Sequence, residues 1–297
     1  MNSRPLVSIC IPTYNSADFI LDTLNSIRNQ TFQNYEVIIQ DDASSDSTPK
    51  MIRHFIRDKQ DARFYLRQNS ENLGVEKNWN LCLNSARGEF IKLICADDLL
   101  DPDCIRKQVE VLLDPKNLDI ACVATQRRII QTDGKILFPK WFLGGSPHRL
   151  DAAELMRKCT LWGTNILGEP CVVLMRASAW KATSGFDARI PYLIDLDLWI
   201  KLLKQGDVVI IPEVLCSFRV SNQSSSAQIA RKQITQSQEF FQRLYRANPQ
   251  TIGAFRYYLG CCLGGVLGYA RVLIFFLTRI FHRKEGTRAF PTPTNPL

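Results

Sequence analysis

Residues 36–42 read Glu36-Val-Ile-Ile-Gln-Asp-Asp42, and residues 90–98 read Phe90-Ile-Lys-Leu-Ile-Cys-Ala-Asp-Asp98. In both stretches a short apolar run ends in a pair of aspartates, and such runs predict buried strands. Carboxylates that leave the carboxyl ends of parallel strands lie where open α/β sheets bind their ligands. Two acidic pairs at one edge need a cation or hydrogen-bond donors to offset their charge. A divalent metal ion together with a nucleotide base would supply both.

The segments around these two stretches predict the fold class. Strands are predicted over residues 7–11, 35–40, 63–67 and 89–95, and helices over 17–29, 47–57 and 74–86. This alternation with short connections predicts an α/β fold with a mostly parallel, doubly wound central sheet flanked by helices.

After residue 101 the pattern loosens into a mixed region. Helices are predicted over 104–113, 151–158 and 196–204, strands over 120–125 and 171–175, and a hairpin that turns at Asp133-Gly134. We expect this half to extend the same sheet rather than to form an independent domain.

The C-terminal part differs in composition from the rest. A polar amphipathic helix is predicted over residues 227–247, and residues 257–281 are mostly apolar but interrupted by Arg271 and Arg279. Three alternatives stay open for 257–281: a helix in the plane of a membrane, a buried or self-associating helix rich in small residues, and a bilayer span. Residues 285–297 are expected to be a disordered tail.

Composition limits the class of protein. The chain has 297 residues, 45% of them hydrophobic, and a formal net charge of +8. Its Lys and Arg residues are scattered without a basic arm, which argues against nucleic-acid binding and fits phosphorylated small molecules or an anionic membrane face. Ten cysteines show no paired metal-ligand spacing. Without a recognisable secretory leader, the reducing cytoplasm is the expected compartment, and a disulfide framework is not expected.

Five short motifs occur in order along the chain. They are Pro12-Thr13-Tyr14-Asn15, Asp41-Asp42-x-Ser44-x-Asp46-x-Thr48, Asn72-x-Gly74, Ala86-x-Gly88-Glu89-Phe90-Ile91 and Asp97-Asp98-x-x-x-Pro102. Each motif alone is weak, but the ordered series over about residues 5–220 resembles glycosyltransferase family 2.

The resemblance implies a fold, a reaction and a domain plan. Members of this family have the GT-A fold and transfer a sugar, with inversion, from a nucleotide-diphosphate sugar with the help of Mg²⁺ or Mn²⁺. A UDP-sugar is the expected donor, and a glycan or lipid-linked molecule of surface polysaccharide or glycolipid synthesis is the expected acceptor. Residues 1–225 would form the catalytic domain (donor half 1–100, acceptor half 101–225), followed by a helical, membrane-associated region over 226–284. The expected location is the cytoplasmic face of the membrane, and self-association stays open.

The resemblance also implies roles for individual residues. The nucleoside pocket would be lined by Pro12, Thr13, Tyr14 and Asn15, and the base would be bound by Asp41 or Asp42. The ribose and diphosphate would lie beside Asn72, Gly74 and Lys77. Asp97 would ligate the metal, with Asp98 as a second ligand or as the residue that orients Asp97, and Asp195 would be the catalytic base. A role for Asp195 as a helix cap is the alternative that the residues leave open.

Two positions depart from the family pattern. Cys95 stands where relatives carry the first aspartate of the metal motif, and Ser221 stands where many carry a histidine. Metal binding does not require the missing carboxylate, because Mg²⁺ is commonly held by one or two carboxylates together with substrate phosphates. Arg219 or Asn222 would have to replace the histidine.

Three other classes fit part of the pattern. A phosphorylated receiver domain also places an acidic pair after a strand, but it is less than half as long and gives Asp195 no role. A nucleotidyltransferase would carry a glycine-rich loop where residues 12–15 stand. A degenerate, non-catalytic glycan-binding protein with the same fold is the main alternative, because of Cys95 and Ser221.

Overall fold

The computed structural model describes residues 4–140, 147–220 and 233–268. The strands are β1 (Val7–Thr13), β2 (Tyr35–Asp41), β3 (Phe64–Gln68), β4 (Phe90–Leu93), β5 (Leu99–Leu100), β6 (Ile120–Ile130), β7 (Ile136–Phe138), β8 (His148–Leu150), β9 (Val173–Arg176) and β10 (Asp207–Arg219). The helices are α1 (Ile20–Arg28), α2 (Thr48–Lys59), α3 (Val75–Asn84), α4 (Cys104–Leu113), α5 (Ala152–Trp162), α6 (Ala177–Lys181), α7 (Ile194–Leu203), α8 (Gln233–Ala247), α9 (Pro249–Ile252) and α10 (residues 254–268).

All of the described strands belong to one sheet. Its order is β3-β2-β1-β4-β9-β6-β10-β5, with β7 beside β6 and β8 beside β10. The first four strands are mutually parallel, as are β6 and β10, whereas β9 runs antiparallel to both β4 and β6. The predicted α/β class, with a parallel part and a mixed part, is confirmed.

The burial of the strands explains this arrangement. Every residue of β1 and β2 is buried, as expected of parallel strands that helices cover on both faces. One hydrophobic cluster runs from Val7 in β1 to Ile252 in α9. The mixed region therefore extends the core of the first half and does not build one of its own.

The motif at residues 86–91 has a packing reason. A Cβ added to Gly88 would lie 2.6 Å from the backbone nitrogen of Ser8, so only glycine allows this approach to β1. Ser8 Oγ donates to Glu36 Oε1 (2.6 Å), and Arg87 Nε donates to Glu36 Oε2 (2.9 Å). Burial raises the pKa of Glu36, but the hydrogen bonds from Arg87 and Ser8 outweigh burial and lower the pKa. This motif secures the sheet at the end opposite the candidate site.

The structure corrects two of the sequence-based boundaries. Helix α7 begins at Ile194 instead of residue 196, which places Asp195 in its first turn. The long strand β10 was not predicted, because Pro212 interrupts its apolar run; the register shifts between Ile211 and Val214 absorb the proline. The predicted hairpin is confirmed, with Gly134 at a φ of +83° in its turn.

The C-terminal helices pack through glycines. A Cβ on Gly260 would lie 1.8 Å from the carbonyl oxygen of Thr160 in α5, and one on Gly264 would lie 2.9 Å from the Cα of Gly163. No helix within the three described ranges combines the length and apolar character that crossing a bilayer requires. Residues 269–281 of the predicted apolar stretch, the predicted helical residues 227–232 and the predicted tail 285–297 lie outside the described residues.

Candidate active site

The carboxyl ends of β1, β2 and β4 meet at one edge of the sheet. Thr13 pairs with Asp41 across β1 and β2, and the Asp42 amide donates to the Thr13 carbonyl oxygen (2.9 Å). On the other side of β1, the Ile94 amide donates to the Cys10 carbonyl oxygen (3.1 Å), which leads the chain into residues 95–98. The fold thus brings both acidic pairs to the same edge.

The carboxylates of Asp41 and Asp42 are well supplied with donors. Asp41 accepts hydrogen bonds from the Ser44 hydroxyl (2.6 Å), the Ser44 amide (3.1 Å) and Gln68 Nε2 (3.2 Å). Asp42 accepts from the amides of Leu73 (2.8 Å) and Gly74 (2.9 Å) and from Asn69 Nδ2 (2.7 Å). Asp42 therefore fixes the loop that leads into α3.

The turn after β1 is tied to the loop after β2. Asn15, at a φ of +48°, accepts a hydrogen bond from the Ser45 amide (2.9 Å), and its own amide donates to Ser44 Oγ (2.9 Å). Tyr14, which precedes Asn15, is 49% exposed. Thr13 is buried, and its hydroxyl oxygen has no hydrogen-bond partner among the described residues. Asn15 thus shapes the turn, while Thr13 and Tyr14 present unused groups.

The loop before α3 and the first turn of that helix carry the next predicted residues. Asn72 Oδ1 accepts from the Gly74 amide (3.1 Å), and Gly74 has a φ of +81° with open space where a Cβ would lie. Lys77 is exposed on the first turn of α3, and none of the ion pairs between described residues includes it. Its ammonium group is available for an anionic ligand.

Cys95, Asp97 and Asp98 form a compact cluster. Their ligand atoms all lie within 4.8 Å of one another. Asp98 is fully buried; its Oδ1 accepts from the Arg219 amide (3.0 Å), whereas its Oδ2 has no hydrogen-bond partner among the described residues. Burial raises the pKa of Asp97 to about 6, and burial together with the charge of Asp97 raises the pKa of Asp98.

Arg219 holds the cluster in place from β10. Its guanidinium donates to the carbonyl oxygens of Asp97 (2.9 Å) and Thr132 (2.9 Å) and to Asp22 (3.2 Å), and it lies 4.9 Å from the ring centroid of Phe19. With 2% exposure it has little surface left for a ligand. Ser221 and Asn222 lie outside the described residues.

Asp195 lies in a second acidic group. Its Oδ1 accepts from the Leu196 amide (2.8 Å), and Asn165 also hydrogen-bonds to its side chain. Burial, followed by the negative charge of Glu169, raises the pKa of Asp195 to about 7. The charges of Asp195 and Glu169 also contribute to the raised pKa of Cys95. The acidic group around Asp195 and the cluster of Cys95, Asp97 and Asp98 therefore share one electrostatic environment.

The sequence did not point to the partners of Asp195. Glu169 forms an ion pair with Arg127, which is 3% exposed and whose guanidinium group lies against Gly168. Asn165 Oδ1 accepts from the Gly168 amide (3.1 Å), and the indole of Trp199 donates to the Gly168 carbonyl (2.9 Å). The only signal in the sequence is the Gly168-Glu169-Pro170 turn, which predicts a bend and no particular chemistry.

The donor set of the cluster fits a hard divalent cation. Burial and the neighbouring carboxylates keep the pKa of Cys95 raised, so its sulfur stays a neutral thiol. A thiol is a poor ligand for Mg²⁺ or Mn²⁺, whereas carboxylate oxygens suit both ions. A buried carboxylate oxygen without a donor, as on Asp98, is the kind of group that a cation satisfies.

Comparison with known proteins gives a family. The family model described as glycosyl transferase family 2 matches residues 8–181. The chondroitin synthase of Escherichia coli is 31% identical over 206 residues, which cover 68% of this chain but only 27% of that synthase. The putative teichuronic acid biosynthesis glycosyltransferase TuaG of Bacillus subtilis is 28% identical, over 76% of this chain and 83% of TuaG.

Solved structures share the fold. S. aureus TarS 1–349 in complex with UDP-GlcNAc superposes with a TM-score of 0.62 at 17% identity, covering 79% of this chain and 65% of that one. The mannosyltransferase PcManGT from Pyrobaculum calidifontis, in complex with GDP-Man and Mn²⁺, has a TM-score of 0.61 at 19% identity, covering 92% and 76%. These likenesses show the GT-A architecture.

Proposed function

Because this chain belongs to glycosyltransferase family 2, we propose that it is an inverting, metal-dependent hexosyltransferase. Its donor is a nucleotide-diphosphate sugar, a UDP-sugar in the first place, and its acceptor is a hydroxyl of a glycan or lipid-linked saccharide. The names of the relatives, which include a chondroitin synthase and a teichuronic acid glycosyltransferase, favour a role in polysaccharide synthesis.

One observation carries the proposal: polar groups without partners collect at the carboxyl edge of the parallel strands. Thr13 Oγ1, Gln40 Oε1 and Asp98 Oδ2 are buried and have no hydrogen-bond partner among the described residues. Thr13 ends β1, Gln40 is the next-to-last residue of β2, and Asp98 follows β4; these three strands are neighbours in the sheet. Buried polar groups are normally satisfied, so a row of unsatisfied ones at this edge supports a ligand with its own donors and a cation.

The donor would lie across the two acidic pairs. Thr13 and the exposed ring of Tyr14 would contact the nucleoside, and a base N–H would reach an unused lone pair of Asp41 or Asp42. Pro12 is buried in β1 next to Thr13, and Asn15 shapes the turn that follows the strand. Asn72 and Gly74 would border the ribose and diphosphate, where the free ammonium of Lys77 supplies a charge opposite to that of the phosphates. TarS, which shares the fold, was crystallised with UDP-GlcNAc, which supports a nucleotide sugar as the donor.

Asp97 and Asp98 would hold the divalent cation. When bound, the cation neutralises negative charge that develops on the departing diphosphate. Arg219 fixes the backbone of Asp97 and the side chain of Asp98, and it thereby keeps both carboxylates in place while the rest of the site binds and releases substrate.

Asp195 would act as the general base. It takes the proton from the acceptor hydroxyl, the acceptor oxygen forms a bond to the anomeric carbon, and the bond from that carbon to the diphosphate oxygen breaks with its electron pair leaving on the nucleotide. A pKa of about 7 suits this step, because the group is then ionised near neutral pH and still basic enough to accept a proton. Arg127 holds Glu169 beside it and limits how far the pKa rises.

Each of these roles is assigned to a range of the chain. We assign residues 1–100 to donor binding, 101–225 to the acceptor side and 226–284 to a helical region that places the enzyme at the cytoplasmic face of a membrane. Mg²⁺ and Mn²⁺ are both compatible with the carboxylate ligands.

The Asp195→Asn variant tests the function. A thermal-shift panel of nucleotide sugars, with and without Mn²⁺, identifies the donor; release of the nucleoside diphosphate then measures turnover. We expect Asp195→Asn to keep the donor-induced thermal shift and to lose roughly 10²–10⁴-fold in turnover, the usual contribution of a general base.

Asp197→Asn is the matched control. Asp197 lies in the same first turn of α7 and pairs with Lys201 (2.6 Å), so its loss should leave turnover nearly unchanged. Full turnover in Asp195→Asn would assign the base to another residue. Donor binding without any turnover in the unmodified protein would instead indicate a non-catalytic glycan-binding protein.

A further inference from the structure

The outer face of α10 is apolar. Phe255 is 78% exposed, Tyr258 65%, Leu259 37% and Val266 69%, and Cys262 between them is exposed as well. Their spacing of three, four and seven residues puts them on one side of the helix. Residues of this size are normally scattered on a protein surface, so a continuous stripe indicates a contact surface. We call Phe255, Tyr258, Leu259, Cys262 and Val266 the α10 stripe.

The opposite face of α10 is fixed to the catalytic domain. Gly260 and Gly264 lie against Thr160 and Gly163 at distances that leave no room for a side chain. The rings of Tyr245 and Tyr257 stack 4.5 Å apart, at an angle of 6°, and tie α10 to α8. The helix therefore cannot rotate its apolar face inward, and the stripe stays exposed unless something outside the described residues covers it.

The charge of this part of the chain selects the occupant. Between Glu239 and Glu285 the sequence has no acidic residue, and it contains the cations Arg246, Arg256, Arg271, Arg279, Arg283 and Lys284 in addition to Arg243, which pairs with Glu239. The sequence stays mostly apolar from residue 269 to residue 281, interrupted by Arg271 and Arg279. An apolar face with cations and no acidic residue is the pattern of a helix that lies in the surface of an anionic membrane.

We propose that α10 is a membrane-surface helix, with the α10 stripe in contact with the acyl chains of an anionic lipid surface and the exposed Arg246 and Arg256 at its headgroups. This contact deepens the membrane location in the proposed function, but its argument rests on the stripe and the charge pattern and not on the reaction.

The position of α10 gives the contact a consequence for the site. Helix α10 packs against Gly163, the residue that caps the end of α5. The loop that begins there contains Asn165, Gly168 and Glu169, which surround Asp195. A membrane held against α10 would thus fix the acceptor side of the site relative to the bilayer. That arrangement suits an acceptor whose saccharide is linked to a lipid.

Vesicle binding tests the proposal on the full chain. The protein is sedimented with vesicles that contain phosphatidylglycerol and, separately, with vesicles of phosphatidylcholine alone. We expect binding to the anionic vesicles, weakened by salt by roughly fivefold for each cation screened. The variant Phe255→Ser/Val266→Ser should bind about tenfold or more weakly, because two apolar side chains no longer enter the lipid.

Leu118→Ser is the matched control. Leu118 is 76% exposed and far along the chain from α10, so its replacement should leave vesicle binding unchanged. Equal binding by Phe255→Ser/Val266→Ser and the unmodified protein would overturn the assignment of the stripe. So would the absence of vesicle binding, or self-association by light scattering that depends on Phe255, since the stripe would then cover a second copy.

Turnover without vesicles separates this proposal from the proposed function. The stripe variant should release nucleoside diphosphate at the rate of the unmodified protein in vesicle-free buffer. Vesicle binding by an inactive protein would overturn the function and leave the membrane helix intact; turnover without vesicle binding would do the reverse.

Discussion

The two acidic pairs lie at the same edge of the sheet, yet the protein treats them differently. Asp41 and Asp42 accept hydrogen bonds from Ser44, Gln68, Asn69 and two backbone amides. At the other pair, the carboxylate of Asp97 accepts no hydrogen bond from another described residue, and Asp98 accepts one, from the Arg219 amide, while its Oδ2 has none. The fold itself supplies donors to both carboxylates of the first pair, whereas among the described residues the second pair has one donor and the charge of Arg219.

This difference indicates which pair the fold satisfies with its own donors and which pair depends on a ligand for them. Carboxylates that accept several hydrogen bonds stabilise the folded chain without help. Crowded carboxylates with few donors destabilise it, and such groups persist where function requires them. Asp195 and Glu169 extend the second group, because the charge of Glu169 contributes to the raised pKa of Asp195.

The largest expected effect is at Asp42. Asp42→Asn replaces one acceptor oxygen by an NH₂ group, which then faces either the amide of Leu73 or that of Gly74. Leaving one of these part-buried donors unpaired, and losing the charge that the remaining hydrogen bonds stabilise, should lower the free energy of unfolding by about 2–4 kcal/mol. Chemical denaturation in metal-free buffer measures the change.

Asp97→Asn is the control for that comparison. Because Asp97 has no such donors to lose, its replacement in metal-free buffer should leave the free energy of unfolding unchanged or raise it. If the two variants were destabilised equally, the distinction between a pair that the fold satisfies and a pair that it leaves short of donors would be wrong.

The sequence predicted the two pairs and their common edge, because β-branched runs followed by aspartates are local signals. It also identified the motif residues Gly88 and Asn15, whose roles in packing and in the turn the structure explains. What it missed depends on contacts between distant segments. Arg127, Glu169 and Asn165 approach Asp195 only because β6, the loop after α5 and α7 converge.

The sequence also gave no sign of how many hydrogen-bond donors each aspartate pair would have. Both pairs read as Asp-Asp after an apolar run, and nothing local distinguishes them. The donors of Asp42 come from residues 69–74, and the one donor of Asp98 comes from Arg219, more than a hundred residues away. Strand β10, which carries Arg219, was itself not predicted, because Pro212 interrupts its pattern.

A smaller effect is expected in the pH dependence of Glu169→Gln. The base form of Asp195 is ionised, so the turnover rate of the unmodified protein should rise with pH through about 7. Removing the negative charge of Glu169 lowers the pKa of Asp195, and Arg127, now unpaired, lowers it further. The acid limb of the pH–rate profile should therefore move to lower pH, by about one pH unit.

Glu213→Gln serves as the control, since Glu213 is an exposed carboxylate paired with Lys107. It should leave the profile in place. An acid limb that stays fixed in Glu169→Gln, with the fold intact by circular dichroism, would mean that Asp195 and Glu169 are not coupled in the working enzyme.

The smallest expected effect tests the departure at Cys95. Cys95→Asp adds a third carboxylate to a cluster whose ligand atoms lie within 4.8 Å of one another. Because affinity for a hard cation rises with the number of charged ligands, Mn²⁺ should bind roughly three- to tenfold more tightly. The same charge, without metal, adds repulsion to Asp97 and Asp98, so the metal-free melting temperature should fall.

Titration calorimetry with Mn²⁺, together with melting curves, measures both changes, and Cys95→Ser provides the control of similar size without a charge. Tighter Mn²⁺ binding in Cys95→Asp alone would show that the two aspartates form an incomplete cation site that the chain completes with its substrate. Unchanged affinity in both variants would move the cation away from this cluster, and the unpaired Oδ2 of Asp98 would then need another partner.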